Sequence, residues 1–374
     1  MIAVSRTDSS VFGRWWWTVD HWTLWAVAIL IGFGAALTLA ASPAVADRLG
    51  LDPFYFARRQ FVILPTAAAI MVAVSLMPPP WVRRFALGIF VVALIGVIAT
   101  LFVGTEIKGA RRWIGAGGFS LQPSEFVKPC FAVVTAWLLS RRRLAGGPPV
   151  SVAATGLFAI VVLLLALQPD LGMAAVVSFV WLGQVFLAGM PLRLTAIFAV
   201  FAVIGMAAAY LLFPHVASRV DRFLDPDSGD RYQVSTSLEA FENGGLLGRG
   251  PGEGTVKQVL PDAHADFILA VAGEEMGLVV CLAIVGLFAF VVIRGFARLL
   301  QENDLFILLA ASGLLAEFGL QALINMGSTL DLIPTKGMTL PFISYGGSSL
   351  IALAIGMGML LAFTRRRAPV GGLQ

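Results

Sequence analysis

Thiols are scarce in this chain: Cys130 and Cys281 are the only two cysteines in 374 residues, and both fall within apolar runs. That pattern excludes a disulfide framework and a thiolate metal centre. The three histidines, His21, His215 and His264, are scattered, which argues against a histidine-based zinc site. Charge is the largest deficit. Asp, Glu, Lys and Arg make up 13% of the chain, about half of the roughly 25% usual in a soluble protein. The net charge of +4 is small, and nothing in its distribution calls for a nucleic-acid partner. No cleavable signal peptide is expected, because polar and aromatic residues precede a long first apolar run.

Apolar sequence fills the space that charge leaves: 58% of residues are hydrophobic and the mean hydropathy is +0.87. A helix needs about 20 apolar residues to cross a bilayer. Charge-free runs of that kind lie at Thr23–Ala46, Gln60–Val82, Phe85–Thr105, Leu144–Pro169, Leu171–Leu192, Leu194–Ser218, Met276–Ile293 and Gly337–Thr364, with less clean helices at Ser124–Ser140 and Leu305–Asn325. The expectation is an all-α integral membrane protein of about ten transmembrane helices. It divides into a tail over 1–22, a polytopic domain over 23–364 with one large extracytoplasmic loop at 214–265, and a tail over 365–374. Basic residues split almost evenly between the two sides. The arginine clusters at tight turns, above all Arg141–Arg143 and Arg365–Arg367, place both termini in the cytoplasm. The outer surface is then unusually basic, and suits an anionic ligand.

Acids inside apolar helices are costly in lipid and count as functional candidates. The stretch VKQVLPDAHADFILAVAGEEMG, Val256 to Gly277, holds Asp262, His264, Asp266, Glu274 and Glu275. Asp266 stands near the outer end of a helix, where the dipole favours an ionised carboxylate able to serve as a base or cation ligand. The alternative is a helix cap with two acids held in buried ion pairs. Lys108, Arg111 and Arg112 beside glycines form either a phosphate-holding loop or a solvated turn. Glu125 and Lys128 share a helix face, and Lys128 needs Glu125 or Asp170 as its buried partner. Glu317, Gln321 and Asn325 form a polar stripe facing the bundle. Residues 234–241 read as an amphipathic helix for the bilayer surface or a groove. In the last outer segment, Pro341, Tyr345, Gly346, Gly347 and Ser348 are expected to line a cavity.

Four spaced motifs, RRWI with LQPSEFVK, QPDLG, LPDAHADFILAVAGEEMG and PTKGMTLPFISYGGSSL, together resemble the SEDS family of shape, elongation, division and sporulation proteins from about Trp22 to Arg367. The PTKGMTLP form resembles the cell-division branch more than the elongation branch. The resemblance implies a peptidoglycan glycosyltransferase that polymerises lipid II at the outer face of the bacterial inner membrane, at the division septum. It implies Asp266 as the essential aspartate and Glu125, Lys128 and Asp170 as a buried charged group, with Glu274 and Glu275 as further buried acids. A class B penicillin-binding protein, the septal transpeptidase, and other bitopic division proteins are the implied partners, alongside lipid II and membrane lipid.

Joining a lipid diphosphate donor to a sugar hydroxyl with inversion needs one general base and electrostatic help for the leaving pyrophosphate. Asp266 supplies the base. Lys108, Arg111, Arg112, Arg249, Lys257 and Lys336 are the candidate diphosphate cations, and a divalent cation such as magnesium or manganese on Asp266 is a possible aid. Two other classes stay open: a lipid II flippase or transporter, and a non-catalytic scaffold that recruits the transpeptidase.

Overall fold

The computed structural model describes residues 10–107, 110–116, 119–141, 150–212, 214–225 and 231–366. Ten apolar helices form the membrane bundle: α2 (His21–Arg48), α3 (Tyr55–Ser75), α4 (Pro79–Val103), α5 (Pro123–Ser140), α6 (Val150–Leu167), α7 (Leu171–Leu187), α8 (Leu192–Leu212), α11 (Ile268–Leu299), α12 (Leu305–Thr329) and α13 (Gly347–Phe363). Of these, α2, α3, α4, α11 and α12 are long and apolar enough to cross a membrane on length and composition alone. Helices α5, α12 and α13 pack together at the centre. Gln184 on α7 ties two of the central helices: its amide donates to the carbonyls of Ala132 (2.6 Å) and Leu309 (3.0 Å), and it accepts from Thr135 at 2.6 Å.

Several boundaries differ from the hydropathy reading, each for a local reason. The second span begins at Tyr55 rather than Gln60, because Arg58 and Arg59 sit in its first turns with Arg58 exposed, where arginines reach the interface. It ends at Ser75 rather than Val82, since Pro78 caps the start of α4 and Pro79 and Pro80 occupy its first turn. The last helix starts at Gly347, not Gly337. The fold is also not wholly helical: β1 (Thr105–Ile107), β2 (Ala110–Ala116) and β3 (Phe119–Leu121) form a small antiparallel ribbon that carries Arg111 and Arg112. Along β2 Arg112 and Ile114 share one face while Arg111 and Trp113 take the other, and the ribbon packs against α4 and α5.

Besides α9 (Pro214–Leu224), which follows α8, two short helices flank the bundle on opposite sides. Helix α1 (Val11–Thr18) carries Trp15, Trp16 and Trp17, and the Trp15 indole donates to Ser75 Oγ at 2.8 Å. Helix α10 (Tyr232–Gly244) is the amphipathic segment expected from 234–241, and it lies in a groove on α11. The fit is close: a Cβ at Gly244 would come within 2.0 Å of the Gly273 carbonyl oxygen.

Helix α11 is broken at Gly277 (φ 80°, ψ 177°). A break in lipid frees backbone groups that must find partners. Residues 245–250 supply them: Leu278 and Val279 donate to the carbonyls of Gly245 (3.0 Å) and Leu246 (3.3 Å), while Arg249 and Gly250 donate to Glu274 (2.9 Å) and Glu275 (3.0 Å). The large outer loop is therefore built into the helix it precedes.

Candidate functional site

The acids of α11 are fasteners. Glu274 accepts from the backbone N–H groups of Thr255 and Val256 (both 2.7 Å) and Lys257 (2.9 Å), and from Asn243 Nδ2 at 2.8 Å. Glu275 pairs with Lys257, which also donates to the carbonyls of Ala40 (3.2 Å) and Gly252 (3.3 Å). The ion-pair alternative thus describes Glu275, and Lys257 is withdrawn from the cations facing outward. Arg249 donates to the Asn243 carbonyl at 2.8 Å and is likewise a loop tie. Arg48 fixes the next turn through the Val259 (3.2 Å) and Leu260 (2.7 Å) carbonyls.

Asp266 follows in the turn over 261–267, just ahead of α11 rather than inside it. Its backbone carbonyl accepts from Asn325 Nδ2 at 2.8 Å, and the same amide nitrogen donates to Met338 O at 2.7 Å. Asn325 therefore clamps the Asp266 turn to the segment 331–346. A second tie runs from Ser344 Oγ to Ala265 O at 2.6 Å, and a third from the Tyr345 N–H to His264 O at 2.9 Å. The carboxylate itself is half-buried and faces Gly337, where a Cβ would stand 3.3 Å from Asp266 Oδ2. Gly337 has φ +62°, so the chain turns there without a side chain to crowd the carboxylate.

The residue before that glycine, Lys336, lines a cleft of about 50 Å³ with Arg112, Asp170, Gly172 and Pro334. Arg112 Nη1 lies 3.6 Å from Asp170 Oδ1, and its Nε donates to Gln168 O at 3.1 Å. Asp170 is thus partnered by Arg112 from the ribbon rather than by Lys128. Lys128 is paired with Glu125 at 2.9 Å and donates to Gln321 Oε1 at 2.8 Å. Gln321 passes the connection on to Thr339 O at 3.0 Å, so a continuous polar chain links the bundle centre to the outer segment that carries Lys336.

His264 packs against Phe56 with ring centroids 4.3 Å apart and the rings tilted by 39°. Burial drives its pKa down to about 4, with the Arg48 charge adding to the fall and Asp262 opposing it. The imidazole is neutral at physiological pH.

The cell cycle protein family model FtsW/RodA/SpoVE matches residues 21–368. This chain belongs to that family. Its relatives include the probable peptidoglycan glycosyltransferase FtsW of Caulobacter vibrioides, 44% identical over 98% of this chain and 94% of that one. The protein of the same description from Idiomarina loihiensis is 35% identical over 91% of this chain and 86% of its own length. Among solved structures, a chain of a peptidoglycan synthase complex that coordinates polymerization and crosslinking superposes with a TM-score of 0.74 at 30% identity, covering 92% of this chain and 97% of that one. The rod shape determining protein RodA of Thermus thermophilus gives a TM-score of 0.68 at 29% identity, over 92% of this chain and 96% of the other.

Within this family fold the site residues fall into three groups. Asp266, Lys336, Arg112 and Asp170 meet at the outer mouth of the bundle, and Arg111 is on the exposed ribbon, 3.3 Å from Glu106. Lys108 lies outside the described residues. Of Pro341, Tyr345, Gly346, Gly347 and Ser348, expected to line a cavity, Tyr345 is tied to the Asp266 turn and Gly347 and Ser348 begin α13; none of the five lines the Arg112–Lys336 cleft. Their backbone and hydroxyl groups are used internally: Ser348 Oγ donates to Ser120 O at 3.2 Å and accepts from Gln122 N at 3.1 Å. Asn325 was legible only as part of a polar stripe. Nothing in the sequence says that its amide spans two loops. Among the described residues no group of three or more His, Cys, Asp or Glu side chains is placed to hold a metal.

Proposed function

We propose that this protein is a peptidoglycan glycosyltransferase that polymerises lipid II at the outer face of the bacterial inner membrane, with Asp266 as general base. The observation that carries the reading is the placement of Asp266: a half-buried carboxylate on a turn fastened by Asn325 and Ser344, beside the Gly337 bend that leads to Lys336 and the Arg112 cleft. Asp266 takes the proton of the acceptor hydroxyl as its oxygen attacks the anomeric carbon, and the lipid diphosphate departs with the bonding pair. Lys336 and Arg112 meet the negative charge that develops on that diphosphate. The leaving group needs no proton, so one carboxylate suffices.

Magnesium is commonly held by one or two carboxylates together with substrate phosphates. Asp266 and the diphosphate fit that minimal set, and such an ion would supply Lewis-acid charge neutralisation. The synthase complex that coordinates polymerization and crosslinking supports a transpeptidase partner; a class B penicillin-binding protein in that role, together with other bitopic division proteins at the septum, belongs to the same proposal.

Glycan synthesis from purified lipid II, by wild-type and Asp266→Asn protein with the transpeptidase bound, tests the base. Removing a positioned base costs roughly 10²–10⁴-fold, so strands should fall to near background while the complex still assembles. Near-normal strand length from Asp266→Asn would overturn the assignment.

A further inference from the structure

A groove lies far from Asp266, at the other end of α11. It encloses about 360 Å³ and is lined by Phe290, Ile293, Arg294, Ala297, Arg298 and Gln301. Directly along the same helix face, toward the bilayer centre, Ile293 is 68% exposed, Leu282 60% and Val279 56%, an apolar stripe with no protein cover. Measured from Gly277, Arg294 and Arg298 lie roughly 26 and 32 Å along the axis at 1.5 Å per residue, which sets the two arginines near headgroup depth on the cytoplasmic side.

The arginines are only partly satisfied by protein. Arg294 Nε and Nη2 donate to Asp20 at 2.8–3.1 Å, and Arg298 Nε lies 3.1 Å from the same carboxylate. Arg298 Nη1 donates to Thr364 O at 2.9 Å. Among the described residues no acceptor meets Arg294 Nη1. Asp20 is one carboxylate paired with two guanidiniums, Arg294 and Arg298, and the Arg366 charge bears on Arg298, so the end of the groove keeps a positive excess.

We propose that this groove binds an anionic phospholipid of the cytoplasmic leaflet. The phosphate sits against Arg294 and Arg298, and the acyl chains follow Ile293, Leu282 and Val279. Two features select that occupant over a neutral lipid or a soluble anion: net positive charge at headgroup depth, and continuity of the charged end with an exposed apolar stripe. Basic pockets at the cytoplasmic ends of helices hold anionic headgroups for this reason.

Native mass spectrometry of the delipidated full-length protein, titrated with phosphatidylglycerol or phosphatidylcholine, tests the site. Wild type should retain phosphatidylglycerol at concentrations where phosphatidylcholine is lost. Gln301→Glu places a negative charge in the groove at an exposed position and leaves the Asp20 contacts intact. It should weaken phosphatidylglycerol about fivefold, the worth of one charge at an anionic surface. Arg298→Gln should act in the same direction, whereas Arg84→Gln, on a different cytoplasmic turn, should leave the affinity unchanged. Inorganic phosphate lacks acyl chains and should not displace the lipid. Equal retention of the two lipids, an unchanged affinity in Gln301→Glu, or displacement by phosphate alone would each overturn the proposal.

Discussion

At the scale of single residues, the buried lysine is the most exposed to test. Lys128 is 3% exposed, with Glu125 at 2.9 Å and Gln321 at 2.8 Å as its partners. Removing one member of a buried pair leaves an uncompensated charge and typically costs about 3–5 kcal/mol. Lys128→Ala should therefore lower the unfolding temperature in detergent, and Lys128→Met combined with Glu125→Gln should recover much of the loss. A single variant that unfolds like wild type would show that the pair carries no stability. His264 makes a prediction in pH. The unfolded chain takes up a proton near 6.5, the folded one only near 4. The folded state is thus favoured by the neutral ring, its contribution is complete above pH 6.5, and it declines as pH falls toward 4. The full effect is roughly 3 kcal/mol. His264→Gln should flatten that part of the stability profile; an unchanged slope between those pH values would assign it to other groups.

At the scale of elements, the outer loop owes its form to α11. Glu274 collects three backbone N–H groups from residues 255–257, which is where an ionised acceptor is strongest. Glu274→Gln keeps the shape and gives up the charge. Hydrogen exchange at Thr255, Val256 and Lys257 should accelerate about tenfold while α12 exchanges as before, since local opening is governed by local contacts. Unaltered exchange at those three amides would remove Glu274 from this role. Much of this was visible beforehand and some could not be. Apolar run lengths marked the helices, and the spacing of Glu125 and Lys128 made Glu125 one of two candidate partners for the lysine, the other being Asp170. The partner of Asp170 was hidden because Arg112 reaches it from a ribbon whose strands are too short to show a pattern. Likewise Glu274 and Glu275 were legible as buried acids, but their partners arrive on a loop that folds back across the Gly277 break.

At the scale of the whole molecule, the polar groups are arranged asymmetrically across the bilayer. The Asp266 turn, the Arg112–Lys336 cleft and the Glu274 staple occupy one end. The opposite end is closed by arginine ties between the termini and the bundle: Arg366 N–H donates to Thr18 O at 2.9 Å, Arg365 Nε to Thr18 Oγ1 at 3.1 Å, and Arg294 to Asp20. Asp20 is held below its usual range: burial works to raise it, but hydrogen bonds from Arg294 and Thr23 and the Arg298 charge outweigh that. A catalyst fed from one leaflet needs only one working face, and the concentration of carboxylate and free cleft at one end fits that better than a through-membrane path. The sidedness itself is measurable. Cys130 and Cys281 are buried and should give little background to a thiol reagent. Glu253 is exposed in the outer loop and Asn303 is exposed in the turn between α11 and α12. With intact, right-side-out membranes and a membrane-impermeant maleimide, Glu253→Cys should label at once and Asn303→Cys only after permeabilisation. Labelling of Asn303→Cys in intact membranes would invert the topology, place Asp266 on the cytoplasmic side and remove the outer-leaflet chemistry with it.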